Sequence, residues 1–445
     1  MRVTIPRTRK KSERGKTAVS RPLTICAIGY ASSRHVAARV RCFADMGHRV
    51  FLITETPSTD GIPGVTELVP AWDERLAGRF WFRVLLAAGR WIGGRAVDDA
   101  WRLAVFLSIL RQCRPDIVHV HFAYSYYGWL AGVVGCRPLV VTVMGGDVLF
   151  AEQGNPTPVG KWLTLELLRK ADYITSKSNY LTAVLDEMGD FSGKTERIVW
   201  GVSLRQFQRV DASGLRASLG LQSERRVVFS PKILRPLYRV HLVVEALATV
   251  RRQFPDAVLL VAEYSADLEY KETILRKVEE LGLGDHVIFC GEIAYSDMPA
   301  YYSLAEISVA VPSSDGLPQT LLESMACRTP NILSRLPRYE EIVRHRESAY
   351  FVSATPEEIA AGICALLGDA VLRKKIADSA FTIVKGEGDL DQQTRQVEAR
   401  YRQLAATVRP RRVSVAGAWA TARSYYRFRA AGRRYEPVRE RRKEA

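Results

Sequence analysis

The sequence predicts an α/β protein built from two doubly wound parallel-sheet domains that face each other across a cleft. Three observations lead there. At 445 residues the chain is longer than one ordinary hydrophobic core organises. Short β-branched or apolar runs alternate with stretches of helical period, as βαβ units and a parallel sheet require. The alternation then lapses once and starts again near residue 225.

In the first half the expected strands are 23–28, 49–54, 117–121, 139–143 and 173–176. Each leads into a helical stretch, such as "RHVAARVRCFADMG" with Gly47 as its stop. The pattern restarts with "RRVVFS" and continues through "AVLLVA", "HVIFCG", "EISVAVPSS" and "TPNIL". The polar, aperiodic "GVSLRQFQRVDASGLRASLG" between the halves reads as the linker. The expected organisation is a basic tail (1–22), a first Rossmann-like domain (23–205), a second (206–389), a helix packing back toward the first (390–408), and a second basic tail (409–445).

Charge follows that division. The chain carries a net +16, of which residues 1–22 hold +7 and residues 409–445 hold +9, so the body between them is neutral. A neutral body does not suit nucleic-acid binding. The N-terminus is basic but lacks an apolar signal core, and no run of about 18 apolar residues is free of charge. The most apolar region, "FWFRVLLAAGRWIGG" to "WRLAVFLSIL", is broken by arginines and reads as two surface helices. Seven scattered cysteines without a Cys-x-x-Cys pair read as reduced thiols. A cytoplasmic protein is expected. In the tail, Val415, Trp419, Ala422 and Tyr426 recur at helical spacing with Arg423, Arg427 and Arg434 on another side. That pattern suits an interfacial helix on an anionic membrane surface, here the inner face of the plasma membrane.

The chemistry centres on "SSDGLPQTLLESMACRTP" (313–330). Pro318 marks a helix start at a strand's carboxyl end, where open-sheet proteins bind ligands. Asp315 stands before that start and Glu323 about a turn and a half after it. Two carboxylates accept from paired hydroxyls, and bare helix N–H groups hold an anion. A nucleoside diphosphate sugar presents that combination. The same residues also fit a dipole-favoured Asp and a solvated mid-helix Glu. A second element weighs toward a site: "VVFSPKILRPLYRVHLVVEAL" is strand, basic loop, helix, and places Lys232, Arg235 and Arg239 where cations would stabilise a leaving diphosphate.

With these phrases on the page, residues 23–408 resemble a retaining glycosyltransferase of family four, a group 1 glycosyltransferase of the two-domain GT-B fold. "DGLPQTLLESMACRTPNI" is similar to the family phrase with two acids eight positions apart, and Asp315 stands where the family has Glu. "SSRHVAARVRCFADMGHRV", "PDIVHVHF", "KADYITSKSNYL" and "WGVSLRQF" match family phrases in order. The resemblance implies that Glu323 binds the donor ribose and Asp315 the donor sugar. It implies that the backbone of Gly316, Leu317, Pro318, Gln319 and Thr320 helps hold sugar and phosphates. Lys232 matches the first cation of the diphosphate pair; the second is Arg239, with Arg235 behind it because the loop is one residue longer.

It also implies a UDP- or GDP-sugar as donor, a glycan or lipid-linked acceptor, transfer of a hexosyl group in cell-surface polysaccharide or glycolipid synthesis, and no metal or other cofactor. The sequence departs from the family in two further places. "VAEYSAD" (261–267) replaces a Gly-x-Gly, and "VVTVMGGDV" has Met144 where many relatives have His, leaving Asp147 as the polar group assigned to the cleft. His119 and His121 share a strand face, but no third ligand follows, so a metal pair is not expected. "DLD" (389–391) reads as a helix N-cap. Other readings of the same residues are a sugar-nucleotide epimerase and a non-catalytic nucleotide-sugar or carbohydrate-binding module.

Overall fold

The first expected strand forms β1 (Thr24–Ile28), with every residue buried. It pairs in parallel with β2 (Arg49–Ile53) and β4 (Ile117–His121). Strands β3 (Val65–Leu68), β5 (Leu139–Thr142), β6 (Tyr173–Ser176) and β7 (Thr195–Arg197) complete a seven-stranded sheet in the order β3-β2-β1-β4-β5-β6-β7. The strands of the second sheet are β8 (Arg226–Ser230), β9 (Ala257–Val261), β10 (Val287–Phe289), β11 (Ile307–Ala310), β12 (Asn331–Ser334) and β13 (Tyr350–Val352). They run in the order β10-β9-β8-β11-β12-β13. The inner strands are covered by helices on both faces, which is why they read as unbroken apolar runs. The computed structural model describes residues 21–70, 94–150, 156–263 and 266–409. The basic tails and the first half of the apolar region lie outside them.

Three strands have no counterpart in the sequence reading: β3 "VTEL", β7 "TER" and β13 "YFV". All three are sheet edges. β3 and β7 have one side unpaired and only partial cover, so they need no apolar run, whereas β13 is apolar but only three residues long. The second half of the apolar region is the expected helix, with an exposed side at Arg111 and Gln112. It forms helix Gly94–Cys113, whose Phe106 and Leu110 are buried in the first core.

The linker is not a free connection. Val202 and Phe207 are fully buried in the second domain's core, and Ser213–Ser218 is helical. The chain passes between the domains twice at one place. Val202 N–H donates to Gly388 O (2.8 Å) and Leu390 N–H to Val202 O (3.0 Å). A Cβ on Gly201 would overlap the Gly388 carbonyl, so glycine is required there. The final helix, Leu390–Thr407, is capped by Asp389, whose carboxylate accepts from Asp391 N–H (2.9 Å). It packs on helix Arg34–Asp45: Tyr401 stacks on Phe43 at 5.0 Å, and its hydroxyl is hydrogen-bonded to His119 Nδ1.

Candidate active site

Strand order reverses between β1 and β4 in one sheet and between β8 and β11 in the other. The loops beyond those carboxyl ends face each other, as the switch-point rule requires. Between them lies a cavity of about 400 Å³. Tyr30, His35, His121, Phe122 and Lys177 line it from the first domain, and Asp315 to Gln319 from the second.

On the second-domain wall, helix Gln319–Ala326 starts with Pro318 as its N-cap, one position earlier than a first-turn proline, and no side chain caps it. Thr320 Oγ1 and Gln319 Oε1 are buried without a hydrogen-bond partner. The Gln319 amide donates to Gly201 O at the domain crossing. Asp315 is held by two donors on one oxygen, Lys232 Nζ at 2.6 Å and Tyr339 O–H at 3.1 Å. Lys232 is buried, with its ammonium 5.2 Å from the Tyr238 ring centre. Glu323 is not solvated: it is 4% exposed and accepts from Tyr302 O–H at 3.0 Å. Burial pushes its carboxyl up to about 7, against the hydrogen bonds of Tyr302 and Tyr295 and the charges of Arg34 and Lys232. A buried carboxyl displaced in this way is a candidate functional group.

The two candidates for the second cation separate. Arg239 takes a left-handed φ of 52° at the start of helix Val240–Gln253, and its charge acts on His241. Arg235 is exposed and acts on Tyr238, the ring that also feels Asp315. Both arginines stay on the loop and helix start beside Lys232, and among the described residues neither is joined to the Lys232–Asp315 pair by a hydrogen bond.

Gly316 sits where a Cβ would lie 2.8 Å from Met144 O, and a Cβ on Gly145 (φ 123°) would lie 3.6 Å from Gly316 Cα. The glycines allow the two domains, not only a ligand, to approach closely. Asp147 does not face the cleft as assigned from sequence. It is fully buried and accepts backbone N–H bonds from Ala123 (2.7 Å), Met144 (2.9 Å) and Gly145 (2.9 Å). Its role is to tie the loop after β4 to the loop after β5. Its carboxyl is pushed up by burial and held back by those donors. In place of the absent Gly-x-Gly, Glu263 accepts from Gly291 N–H (2.8 Å) and pairs with Lys271. His119 is bonded to Thr142 Oγ1 at 2.7 Å and to Tyr401, so it is a core histidine. Among the described residues no group of three or more His, Cys, Asp or Glu converges.

Lys177, Tyr302, Tyr295 and Tyr339 escaped the sequence reading. Lys177 follows β6, is 4% exposed, and donates to Leu317 O (2.8 Å) across the cleft. Burial first, and then Arg39, lowers its ammonium to about 7. The available signal was its place directly after an expected strand, the same signal that singled out Lys232.

Comparison with known proteins places these features. Residues 32–206 match the model of "Glycosyltransferase Family 4", and residues 212–382 match "Glycosyl transferases group 1". The chain is 27% identical over 305 residues to a D-inositol 3-phosphate glycosyltransferase of Segniliparus rotundus, covering 63% of this chain and 66% of that protein. It is 27% identical over 253 residues to a GDP-mannose-dependent α-(1-6)-phosphatidylinositol monomannoside mannosyltransferase of Mycolicibacterium smegmatis, covering 54% of this chain and 64% of that one. It thus spans about two thirds of the length of either relative. Among solved structures, Anabaena HepE in complex with UDP and glucose superposes with a TM-score of 0.70 at 17% identity, covering 86% of this chain and 100% of that one, which shows the shared GT-B fold.

Proposed function

The chain belongs to the group 1, family-four glycosyltransferases, and on that premise we propose that it transfers a hexosyl group, with retained anomeric configuration, from a nucleoside diphosphate sugar to an acceptor hydroxyl. One observation carries the reading. Buried Lys232 paired with half-buried Asp315, and the buried, tyrosine-held Glu323, flank one uncapped helix start that opens on a two-domain cavity.

In this reading Glu323 exchanges its tyrosine hydrogen bonds for the ribose hydroxyls. Asp315 takes hydroxyls of the donor sugar, and Lys232, with Arg235 or Arg239, faces the diphosphate. The first N–H groups of helix Gln319–Ala326 add partial positive charge. Cations fixed before the reaction stabilise charge that grows on the departing diphosphate without reorganising. That role makes a metal ion unnecessary. Asp147 supports the wall by fixing its loops. Closure of the two domains on the donor excludes water, which limits its hydrolysis. The acceptor is a glycan or a lipid-linked molecule on the first-domain side, and the C-terminal tail, outside the described residues, holds the protein on an anionic membrane surface.

The test is turnover of radiolabelled UDP- and GDP-sugars with the full chain, followed by the anomeric configuration of the product. An inverted product would refute retention. Product that is an epimer of the donor sugar would favour the epimerase, and binding without turnover the non-catalytic module. The tail is tested by co-sedimentation. Full-length protein should pellet with anionic but not neutral vesicles, whereas a chain ending at Arg409 should stay in solution.

A further inference from the structure

A short segment of the second domain, residues 334–341, is fastened both to the loop that carries Asp315 and to the first domain. On the loop side, Ser334 O–H donates to Pro312 O (2.9 Å), Arg338 Nη2 to Ser314 Oγ (3.0 Å) and Tyr339 O–H to Asp315 Oδ2 (3.1 Å). All three donors are buried. Buried hydrogen bonds of this kind fix one loop against the other. Two residues beyond Tyr339, the Glu341 carboxylate reaches the first domain. It accepts from the backbone N–H groups of Asn179 (2.6 Å) and Tyr180 (2.7 Å), one on each oxygen. Arg338 adds a second contact at the same place, 5.0 Å over the Tyr180 ring.

The two N–H groups that Glu341 takes are the first of helix Asn179–Met188, and the N-cap Ser178 takes the third, from Leu181 (3.2 Å). A helix start leaves its first donors without partners inside the helix, and an acid there also meets the positive end of the dipole. Elsewhere in this chain Thr157, Asp267, Thr355 and Asp369 cap their helices with the same single bond that Ser178 makes. Glu341 is therefore not needed to begin the helix. Its carboxylate comes from the other domain, 161 and 162 residues along the chain from the groups it meets. The bond exists only while the two domains are together. A swing that opens the cleft breaks it and releases the segment that holds Asp315.

Resting on the reading that Asp315 takes hydroxyls of the donor sugar, we propose that Glu341 is a positioning residue for that acid. Its seat on helix Asn179–Met188 sets Tyr339, and Tyr339 sets Asp315, so the sugar is gripped fully only when Glu341 is seated. The nucleotide, held through Glu323 on the second domain, binds whether Glu341 is seated or not.

Calorimetry on the full chain compares UDP-glucose with UDP, and GDP-mannose with GDP, so that the affinity added by the sugar is read apart from that of the nucleotide. Glu341→Ala should weaken binding of the sugar nucleotide by about tenfold, the scale of one hydrogen bond to a charged group. Affinity for UDP or GDP alone should stay within about twofold of wild type. Ser178→Ala, which removes the helix's own cap and leaves the Glu341 bridge, should lower Tm but keep the sugar's contribution. Tyr339→Phe should lose the same contribution as Glu341→Ala, and combining the two should add little, since residues acting through one contact are not additive. Three outcomes would overturn the proposal: an undiminished sugar contribution in Glu341→Ala, an equal loss in Ser178→Ala, or independent losses in the double variant. Should Glu341→Ala not fold, Glu341→Gln, which keeps one acceptor oxygen, replaces it and should show part of the loss. Failure of the donor reading has its own signature. Asp315→Ala then keeps the whole sugar contribution, or neither sugar adds affinity in the wild type, and this proposal falls with it.

Discussion

The two walls of the cleft handle buried charge in opposite ways. On the second-domain wall each acid has protein partners: Asp315 has Lys232 and Tyr339, and Glu323 has two tyrosines. On the first-domain wall Lys177 and Arg39 are buried too, yet among the described residues neither forms an ion pair with a carboxylate. The difference teaches how each wall carries its charge. A pre-paired wall can exchange its partners for the hydroxyls of a ligand, whereas a buried cation with no carboxylate beside it is held by giving up its proton more readily, as the lowered ammonium of Lys177 shows.

The contrast breaks most visibly at Glu323. Glu323→Ala should remain folded and lose nucleotide-sugar affinity by roughly 10²–10⁴-fold, since two hydrogen bonds to a charged group contribute roughly 1.5–3 kcal/mol each. Calorimetric affinity close to that of wild type would remove Glu323 from the site. Next in size, Lys232→Ala should lower kcat by about 10²-fold, the usual effect of deleting one charge-stabilising donor. Activity should persist in chelator; complete loss restored by magnesium or manganese would show that the protein's cations are insufficient.

Stability against pH sharpens the comparison further. Glu323 holds its proton more tightly folded (about 7) than unfolded (4.5), so stability falls as pH rises through that window. Glu323→Gln should therefore melt higher than wild type at pH 8, by at most about 3 kcal/mol at about 1.36 kcal/mol per pKa unit, and the gap should close below pH 4.5. Lys177 shifts the other way, from 10.5 unfolded to about 7 folded, so stability rises with pH between those values. Lys177→Met should melt higher than wild type at pH 6, with the gap closing toward pH 10.5. Parallel rather than opposite pH profiles of Tm would erase the distinction between the walls. The smallest effect belongs to Asp315→Glu, which adds one methylene to a paired acid and should change turnover by less than about tenfold, the equivalent of about 1.4 kcal/mol.

How much of this was legible in the sequence depended on whether partners are near in the chain. The buried strands were readable, because two-sided cover forces apolar runs. The edge strands "VTEL" and "TER" were not, because nothing forces such a run there, and "YFV" was not because three apolar residues are too few to stand out. Asp315, Glu323 and Lys232 stood out because a helix start and a strand end mark their places locally. Tyr302 and Tyr339 reach the same acids from 21 and 24 residues away, and Lys177 reaches Leu317 from 140 residues away. Neither spacing nor period signals such encounters. Asp147 failed differently: its residue type was visible, but its partners are backbone N–H groups, which leave no mark in a sequence.

The double crossing at Gly201 and Gly388 has a mechanical consequence. Two tethers side by side at one place act as a pin: one body can swing against the other, but it cannot slide. The amide of Gln319 is fastened to Gly201 O, so the head of helix Gln319–Ala326 lies almost on the pin. A point close to a pivot travels little, however far the ends swing. Gly316, three residues from that helix head and tight against Met144 O, therefore lies close to the axis about which any such swing turns.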